Sequence, residues 1–238
     1  MPRRSLVVSL AAVALAAPAA PATPIFVGHI QFAESYGSTG GGEFRAIPQP
    51  DFTITPVSTG TVFQFGNPAD PPQFETFCME KFEHIDTQGS IFRADLNTQT
   101  TGAAPEYAGG AHGGFNDPID PRTAYLYDHF IRGSLLTPYN YADEASRIDD
   151  ANALQTAIWF IEDEDTTPLL GKSLDFFNEA AAAVNSGAWT GIGGVRILNI
   201  YTDSNRTEYQ DELVLVPSPG TLGAILGLAS LSRRRRST

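Results

Sequence analysis

The sequence predicts an α+β fold in which a β-sandwich or barrel-like sheet carries a helical insertion. Segments rich in Phe, Val, Ile and Thr, punctuated by Gly and Pro, open the body of the chain, which is typical of strands. Apolar residues then recur at helical spacing through the middle, and alternating segments return near the end. This order favours a last pair of strands that joins the first sheet.

The strands are predicted from their composition and from the turn residues around them. A long segment from 98 to 121, rich in Gly, Ala and Thr, separates the first strands from the helices and is expected to be a loop. The predicted strands are Ile25 to Phe32, Phe52 to Thr55, Thr61 to Phe65, Phe74 to Ile85, Gly194 to Thr202 and Glu208 to Val216.

The helical insertion is predicted at about residues 119–187. Its first helix, Arg122 to Leu136, starts just after Pro121, and its last, Leu174 to Asn185, stops before Gly187. The middle helix is expected to begin at a capping box, Ser146 to Asp149. It contains the stretch ANALQTAIWFIEDED, which includes Gln155.

Composition and charge limit the classes of function. The chain has 238 residues, of which 42% are hydrophobic, so it is too apolar to be disordered and can form one large domain or two small ones. Its formal net charge is −12. Because binding to nucleic acid or anionic membrane draws on clustered Lys and Arg, the acidic body argues against both partners.

The N-terminus is predicted to be a secretory signal peptide, residues 1–22. Arg3 and Arg4 precede an apolar run from Leu6 to Ala17, and small residues suited to cleavage follow up to Ala22. The body of the chain, residues 23–216, is therefore expected outside the cell. It contains a single cysteine, Cys78, so no internal disulfide is possible.

The C-terminal tail, residues 217–238, has three parts. Pro217 and Pro219 are followed by an apolar run from Thr221 to Leu231 and then by four arginines, Arg233 to Arg236. The apolar run would span only about half a bilayer core as a helix. This order resembles the PEP-CTERM sorting signal, with Ser218 at the position where those tails usually have glutamate. The resemblance implies an exosortase-type processing enzyme as a partner and a location at the cell surface, outer envelope or extracellular matrix.

Gln155 is an unusual residue for its position. It lies at the edge of a helical face formed by Leu154, Ala157 and Ile158, and a carboxamide turned toward a core must be hydrogen-bonded or it costs free energy. Cys78 lies in a strand pattern, where a cysteine is most often a small inert hydrophobe. Taken singly, neither residue predicts a function.

Taken together, the two residues resemble the Cys–Gln thioester domains of bacterial surface adhesins. The first signature of those domains, an aromatic residue followed by Cys, is matched by Phe77-Cys78. The second, Thr-Gln-x-Ala-Ile-Trp (the TQXA motif), is matched at Gln155, Ala157, Ile158 and Trp159, with Leu154 at the threonine position. The segment from Ala124 to Phe130 looks like the helix that such domains place before the glutamine helix.

The resemblance implies a covalent chemistry without a cofactor. The Cys78 thiolate would attack the Gln155 carboxamide, ammonia would leave, and Trp159 would shield the resulting thioester from water. An extracellular molecule with an amine or hydroxyl, such as a lysine, would then attack and become linked to Gln155. Such single-turnover tethering is not enzymatic. Ala157 and Tyr125 are expected near the bond, with Tyr125, Glu80 and His129 as candidates to polarise the carbonyl or take a proton.

Two alternatives remain open from the sequence. One is a cysteine peptidase or transglutaminase with Cys78 as nucleophile and His84, His112 or His129 as base, although such nucleophiles usually lie at a helix N-terminus. The other is a non-enzymatic extracellular matrix protein that forms no thioester.

Metal and phosphate sites are not expected. The histidines show no metal-ligand spacing. The acidic run Glu162 to Asp165 is interpreted as a solvated helix end, with an oxygen-ligated calcium site as the lesser alternative. The segment Gly37 to Glu43 lacks the Lys-Ser/Thr ending of a phosphate-binding loop and is interpreted as a surface loop.

Overall fold

The computed structural model describes residues 23–37, 41–60, 72–101, 117–203 and 206–217, over which the chain forms six strands and three helices. The predicted signal peptide, the predicted strand from Thr61 to Phe65 and the sorting tail after Pro217 lie outside these residues. In chain order the elements are β1 (Ile25–Glu34), β2 (Phe44–Pro48), β3 (Phe74–Thr76), β4 (Ile91–Asn97), α1 (Pro121–Ile131), α2 (Glu144–Ile161), α3 (Gly171–Asn185), β5 (Val195–Tyr201) and β6 (Glu208–Leu215).

The six strands form one curled antiparallel sheet in the order β3-β2-β1-β4-β5-β6. Its two edges approach each other, because the chain leaving β3 forms backbone hydrogen bonds with β6. Leu213 N donates to Phe77 O at 3.0 Å, and Met79 N donates to Asp211 O at 2.9 Å. The predicted class is therefore confirmed: an α+β fold with a barrel-like sheet and a helical insertion that carries Gln155.

Two apolar clusters pack against the sheet, one on each of its faces. One cluster takes residues from all six strands and fills the inside of the curl, with Phe32, Phe74 and Leu198 among its fully buried members. The other packs the three helices against the outer face of β5 and β6, where Leu213 and Leu215 alternate with the inward Val214. This alternation along β6 decides which face each neighbouring polar residue occupies.

The three predicted helices form, with different ends. α1 stops at Ile131 rather than Leu136, because Gly133 adopts φ 62° and Ser134 N returns to His129 O at 2.8 Å. The predicted capping box is wrong. Ser146 lies inside α2, and Asp143 caps the helix by accepting a hydrogen bond from Ser146 N at 2.9 Å.

The strand predictions were less accurate. Phe52 to Thr55 is not a strand, although Thr53 N donates to Val27 O at 2.7 Å. Of the predicted segment Phe74 to Ile85, only the first three residues form β3. β2 and β4 were missed, β4 because charged side chains interrupt its apolar pattern: Asp95 is buried there and pairs with Arg206 at 3.2 Å.

Candidate functional site at Cys78 and Gln155

Cys78 lies just after β3, directly opposite Glu212 of β6 in an isolated antiparallel bridge. The flanking residues Phe77 and Met79 make the backbone hydrogen bonds to β6, at 3.0 and 2.9 Å. Cys78 and Glu212 are therefore a non-hydrogen-bonded pair, whose own N–H and C=O groups point away from the partner strand. The backbone of Cys78 thus turns both of its polar groups toward the helices.

The Gln155 carboxamide pairs with both of those groups. Cys78 N donates to Gln155 Oε1 at 2.9 Å, and Gln155 Nε2 donates to Cys78 O at 2.8 Å. Both residues are buried, Gln155 with 1% and Cys78 with 0% of its surface exposed. The structure therefore brings the two predicted residues together, with the carboxamide lying along the backbone of the residue that carries the thiol.

A second backbone N–H reaches the same carbonyl oxygen. Gly42 N donates to Gln155 Oε1 at 3.1 Å, in addition to Cys78 N. Gly42 has φ 120°, a conformation that other residues rarely adopt. Two N–H groups on one carbonyl oxygen form the arrangement that stabilises an oxyanion in acyl transfer. The surface-loop interpretation is wrong for residues 41–43, which are all buried.

The loop that carries Gly42 is anchored to α2 through the next residue. Glu43 is fully buried; its Oε2 accepts from Arg147 Nε at 2.9 Å and from the Tyr139 hydroxyl at 2.8 Å. Burial raises the pKa of Glu43, and the Arg147 guanidinium opposes that shift. Arg147 precedes Gln155 by about two turns of the same helix, so α2 fixes both the carboxamide and the loop that contacts it.

Trp159 lies one helical turn after Gln155 and closes the site from another side. Only 7% of it is exposed, and its ring packs so closely on Gly41 that a Cβ there would overlap Cη2. The Lys81 ammonium lies 5.8 Å from the centre of the Trp159 ring. Ala157 is fully buried in the core between the helices and the sheet.

Tyr125 and His129 occupy a different place from the one expected. The Tyr125 hydroxyl donates to Glu179 Oε1 at 3.0 Å, and the ring stacks on His129 with 3.9 Å between centroids. Trp189 packs edge-on against both rings. These residues form an aromatic cluster between α1 and α3, so their predicted role beside the Cys–Gln pair is corrected.

Glu212 is the functional candidate that the sequence reasoning missed. Burial, followed by the charge of Glu212, raises the pKa of the Cys78 thiol well above its usual value. Burial also raises the pKa of Glu212 to about 8, while hydrogen bonds from Thr76 and the Cys78 thiol lower it. The alternation of β6 was a usable signal, because it puts Glu212 on the inward face with Val214.

The histidines are not arranged around Cys78 in the described part of the chain. His84 is exposed, and His129 Nδ1 lies 3.0 Å from Tyr125 O. His112 lies outside the described residues. A buried thiol with a raised pKa is a weak nucleophile until a base takes its proton, so Cys78 needs a base. The candidate base is Glu212, which lies opposite Cys78 and whose charge acts on the thiol.

The acidic run after α2 ties parts of the fold together. Glu162 is buried at the start of α1, where Oε1 accepts from Asp120 N at 3.2 Å, and burial raises its pKa to about 8. Glu164 Oε2 accepts from Lys81 N at 3.3 Å, and Asp165 pairs with the Lys81 ammonium. The solvated-end interpretation is therefore wrong for Glu162. Among the described residues, no group of three or more His, Cys, Asp or Glu is placed to bind a metal.

Comparison of the chain with protein families, with curated proteins and with solved structures finds no match. Within the described ranges, no helix is long and apolar enough to cross a membrane.

Proposed function

We propose that Cys78 and Gln155 form an internal thioester, through which the exported chain attaches covalently to an extracellular molecule bearing an amine or hydroxyl. The observation that carries the proposal is the pair of hydrogen bonds, at 2.9 and 2.8 Å, that fixes the Gln155 carboxamide on the backbone of Cys78. A buried thiol and a buried amide are held in one orientation before any reaction begins.

The bond-forming step needs this placement because an amide is a poor electrophile. The Cys78 sulfur adds to the carboxamide carbon of Gln155, and the negative charge moves to Oε1, where the N–H groups of Cys78 and Gly42 already point. Collapse of the tetrahedral species expels the nitrogen, which leaves as ammonia with the thiol proton. Fixed orientation of two groups can supply about 7–11 kcal/mol of the barrier in such intramolecular reactions.

The second step links the chain to its partner. An external amine adds to the same carbonyl carbon and the Cys78 sulfur leaves, so an amide to Gln155 forms and the thiol is regained. The burial of both residues and the packing of Trp159 on Gly41 support a bond that lasts until a partner arrives, because an exposed thioester hydrolyses. The partner is an extracellular surface molecule, and no resident cofactor takes part.

The sequence signals at the two ends support the extracellular setting. The predicted signal peptide, residues 1–22, would export the chain, and the PEP-CTERM-like tail, residues 217–238, would bring it to an exosortase-type enzyme. A protein retained at the surface is suited to holding a partner by one lasting bond.

Intact-mass measurement of the purified chain tests the proposal. The wild type should be lighter than its sequence mass by one ammonia, whereas Cys78→Ala should show its full sequence mass. Methylamine should add to Gln155 in the wild type and not in Cys78→Ala. Gln210, another buried glutamine, serves as an internal control because it should stay unmodified.

Full mass in freshly purified wild type, together with no methylamine uptake, would overturn the thioester and leave a non-covalent extracellular role. Single substitutions of His84, His112 and His129 address the enzyme alternative. Tethering predicts that neither the wild type nor any of these variants turns over a peptide or amide substrate repeatedly. A peptidase or transglutaminase would do so and would lose the activity in one of the variants.

A further inference from the structure

Glu212 is buried beside the thiol with less hydrogen bonding than a buried carboxyl normally has. Its Oε2 accepts from the Thr76 hydroxyl at 2.9 Å, while Oε1 has no partner of ordinary hydrogen-bond geometry within the described ranges. The residue is 0% exposed, as is Cys78. Because a buried polar atom without a partner destabilises the folded chain, its retention calls for an explanation.

The sheet geometry places this carboxyl against the reacting sulfur. Cys78 and Glu212 face each other across a non-hydrogen-bonded bridge, the antiparallel position where opposed side chains come closest. Burial raises the pKa of the Cys78 thiol, and the two groups are close enough for the charge of Glu212 to raise it further. The backbone of Cys78 therefore engages Gln155 on one side while its side chain meets Glu212.

Two other titratable groups that act on the Cys78–Glu212 pair are hydrogen-bonded to the backbone of neighbouring segments. Glu80, whose charge also acts on Cys78, accepts a hydrogen bond from Asp211 N at 3.1 Å. The Tyr127 hydroxyl, which faces Glu212 from α1, is engaged by the carbonyl oxygens of Glu75 and Leu213 at 2.7 and 3.0 Å. From β5, the residue opposite Glu212 is the apolar Leu198.

We infer that Glu212 is the proton-transfer residue of the Cys78–Gln155 reaction, taking the thiol proton during bond formation and returning one to the sulfur when an amine opens the bond. This inference rests on the proposed thioester. It assigns to Glu212 the proton role for which the sequence had suggested Tyr125, Glu80 or His129.

The proton balance closes without any other group. In formation, the Glu212 carboxylate accepts the Cys78 proton as sulfur adds to the carboxamide carbon, and it then passes that proton to the departing nitrogen, which leaves as ammonia. In opening, the same steps run in reverse: the Glu212 carboxylate takes a proton from the amine that has added and passes it to the departing Cys78 sulfur. The carboxyl ends each sequence in the form in which it began.

The protonation equilibrium of Glu212 suits both directions. Burial brings its pKa to about 8, close to neutral pH, where a carboxyl can act as base or acid. Formation uses the carboxylate, so its rate should rise with pH and level off above about 8. Opening by ammonia is the reverse of formation and also starts from the carboxylate, so the assistance that Glu212 gives to opening should fall as pH falls below that value.

The test uses the reversible exchange of the bond with ammonia. Concentrated ammonium should open the wild-type thioester to free Cys78 and an intact Gln155 amide. Removal of ammonia should then let the bond re-form, and intact-mass measurements over time at pH 6 to 9 give the rate of re-formation. Glu212→Gln keeps the shape and the Thr76 contact but cannot take a proton. The bond should re-form at least about 100-fold more slowly in Glu212→Gln than in the wild type, in keeping with the usual size of general acid–base catalysis.

Glu162→Gln is the matched control, because Glu162 is also buried, with a pKa of about 8, but lies at the start of α1. It should re-form the bond at the wild-type rate, with the wild-type pH profile. Glu212→Asp should recover part of the rate lost in Glu212→Gln and keep a levelling of the rate with pH.

The outcomes separate the two proposals. A wild type that never shows the ammonia loss overturns the thioester itself. A wild type that forms the bond while folded Glu212→Gln re-forms it at the same rate, with the same pH profile, overturns the role of Glu212 alone. If Glu212→Gln fails to fold by circular dichroism, the Glu212→Asp pH profile decides: an unchanged rate and profile would overturn the role.

Discussion

Glu43 and Glu212 are both fully buried glutamates, yet their surroundings differ. Glu43 follows Gly42 and Glu212 lies opposite Cys78, and the N–H groups of Gly42 and Cys78 both donate to Gln155. Glu43 has a fixed countercharge, Arg147, and a donated hydrogen bond from Tyr139. Glu212 has only the Thr76 hydroxyl and the Cys78 thiol, and one of its oxygens lacks an ordinary partner in the described structure.

The difference shows how a fold separates support from reactivity. A carboxylate enclosed by a guanidinium is held in one charge state and one position, which suits the anchoring of the Gly42 loop. A carboxyl beside a neutral thiol can change its charge state at little structural cost, which suits proton transfer. Four experiments follow, beginning with the largest expected effect: the first two test this contrast, and the other two test the loop beside the site and a charged group at the surface.

The largest effect is expected for Arg147→Met. This variant leaves Glu43 buried without its countercharge, and loss of one partner of a buried ion pair typically costs about 3–5 kcal/mol. Urea unfolding monitored by fluorescence measures the loss. The paired variant Arg147→Met with Glu43→Met should recover much of it, because two apolar side chains can replace the ion pair. A loss below about 1 kcal/mol for the single variant would contradict the anchoring role.

The next effect concerns pH. The pKa of Glu212 is about 8 in the folded chain and is expected near 4.3 when unfolded. Since the folded value is raised, its contribution to stability is fully present below pH 4 and is lost as pH rises toward 8. Glu212→Gln should flatten the decline of stability between pH 5 and 8 by roughly 1.4 kcal/mol per pH unit at most.

Urea unfolding at several pH values measures this slope, in a Cys78→Ala background so that no thioester forms in either chain. Glu162→Gln should flatten the slope by a similar amount, because that carboxyl is also buried with a pKa of about 8. An unchanged slope in Glu212→Gln would contradict a neutral carboxyl at that position.

A smaller effect is expected for Gly41→Ala, which tests how tightly the loop fits over the site. The added methyl would overlap the Trp159 ring, and forced overpacking typically costs about 1–3 kcal/mol. Combining it with Trp159→Leu should cost less than the sum of the two single changes, since the smaller side chain removes the overlap. Additive costs would show that the two residues do not contact each other in solution.

The smallest effect is expected at the surface, where water screens the interaction between charged side chains. His29 lies between Asp51 at 2.6 Å and Asp203 at 2.8 Å, and the hydrogen bond that its Nδ1 donates to Asp51 is the main cause of its raised pKa. Its stabilising contribution is present below about pH 6.5 and is lost above the folded pKa. His29→Gln should cost less than about 1 kcal/mol at pH 5.5 and nearly nothing at pH 8.5, as measured by thermal unfolding. A loss that is equal at the two pH values would contradict an ionic contribution.

The sequence alone identified Cys78 and Gln155 as candidate site residues, because the residues next to each of them form a recognisable motif. The helical period also placed Gln155 at the edge of an apolar face. The fold class followed from the order of periodic segments. Both kinds of inference use residues that are close in sequence.

The remaining parts of the site depend on residues brought together only by the folded sheet. Gly42 reaches Gln155 because Arg147 draws Glu43 against α2, and nothing local to the glycine-rich loop indicates that contact. Glu212 meets Cys78 because the end of the chain returns beside the extension of β3. The prediction for Tyr125 was wrong because a helical pattern does not show which neighbouring helix each face contacts, and Tyr125 contacts Glu179 of α3.

The two anchors of α2 have a mechanical consequence. Arg147 holds the helix to Glu43 before Gln155, and Glu164 and Asp165 hold the chain after the helix to Lys81. A pull applied at the Gln155 side chain would be shared between these attachments, one at each end of the helix, instead of peeling α2 from one end. Both attachments lead into segments next to the sheet, so a tensile load would pass to the part of the molecule with the most extensive hydrogen bonding.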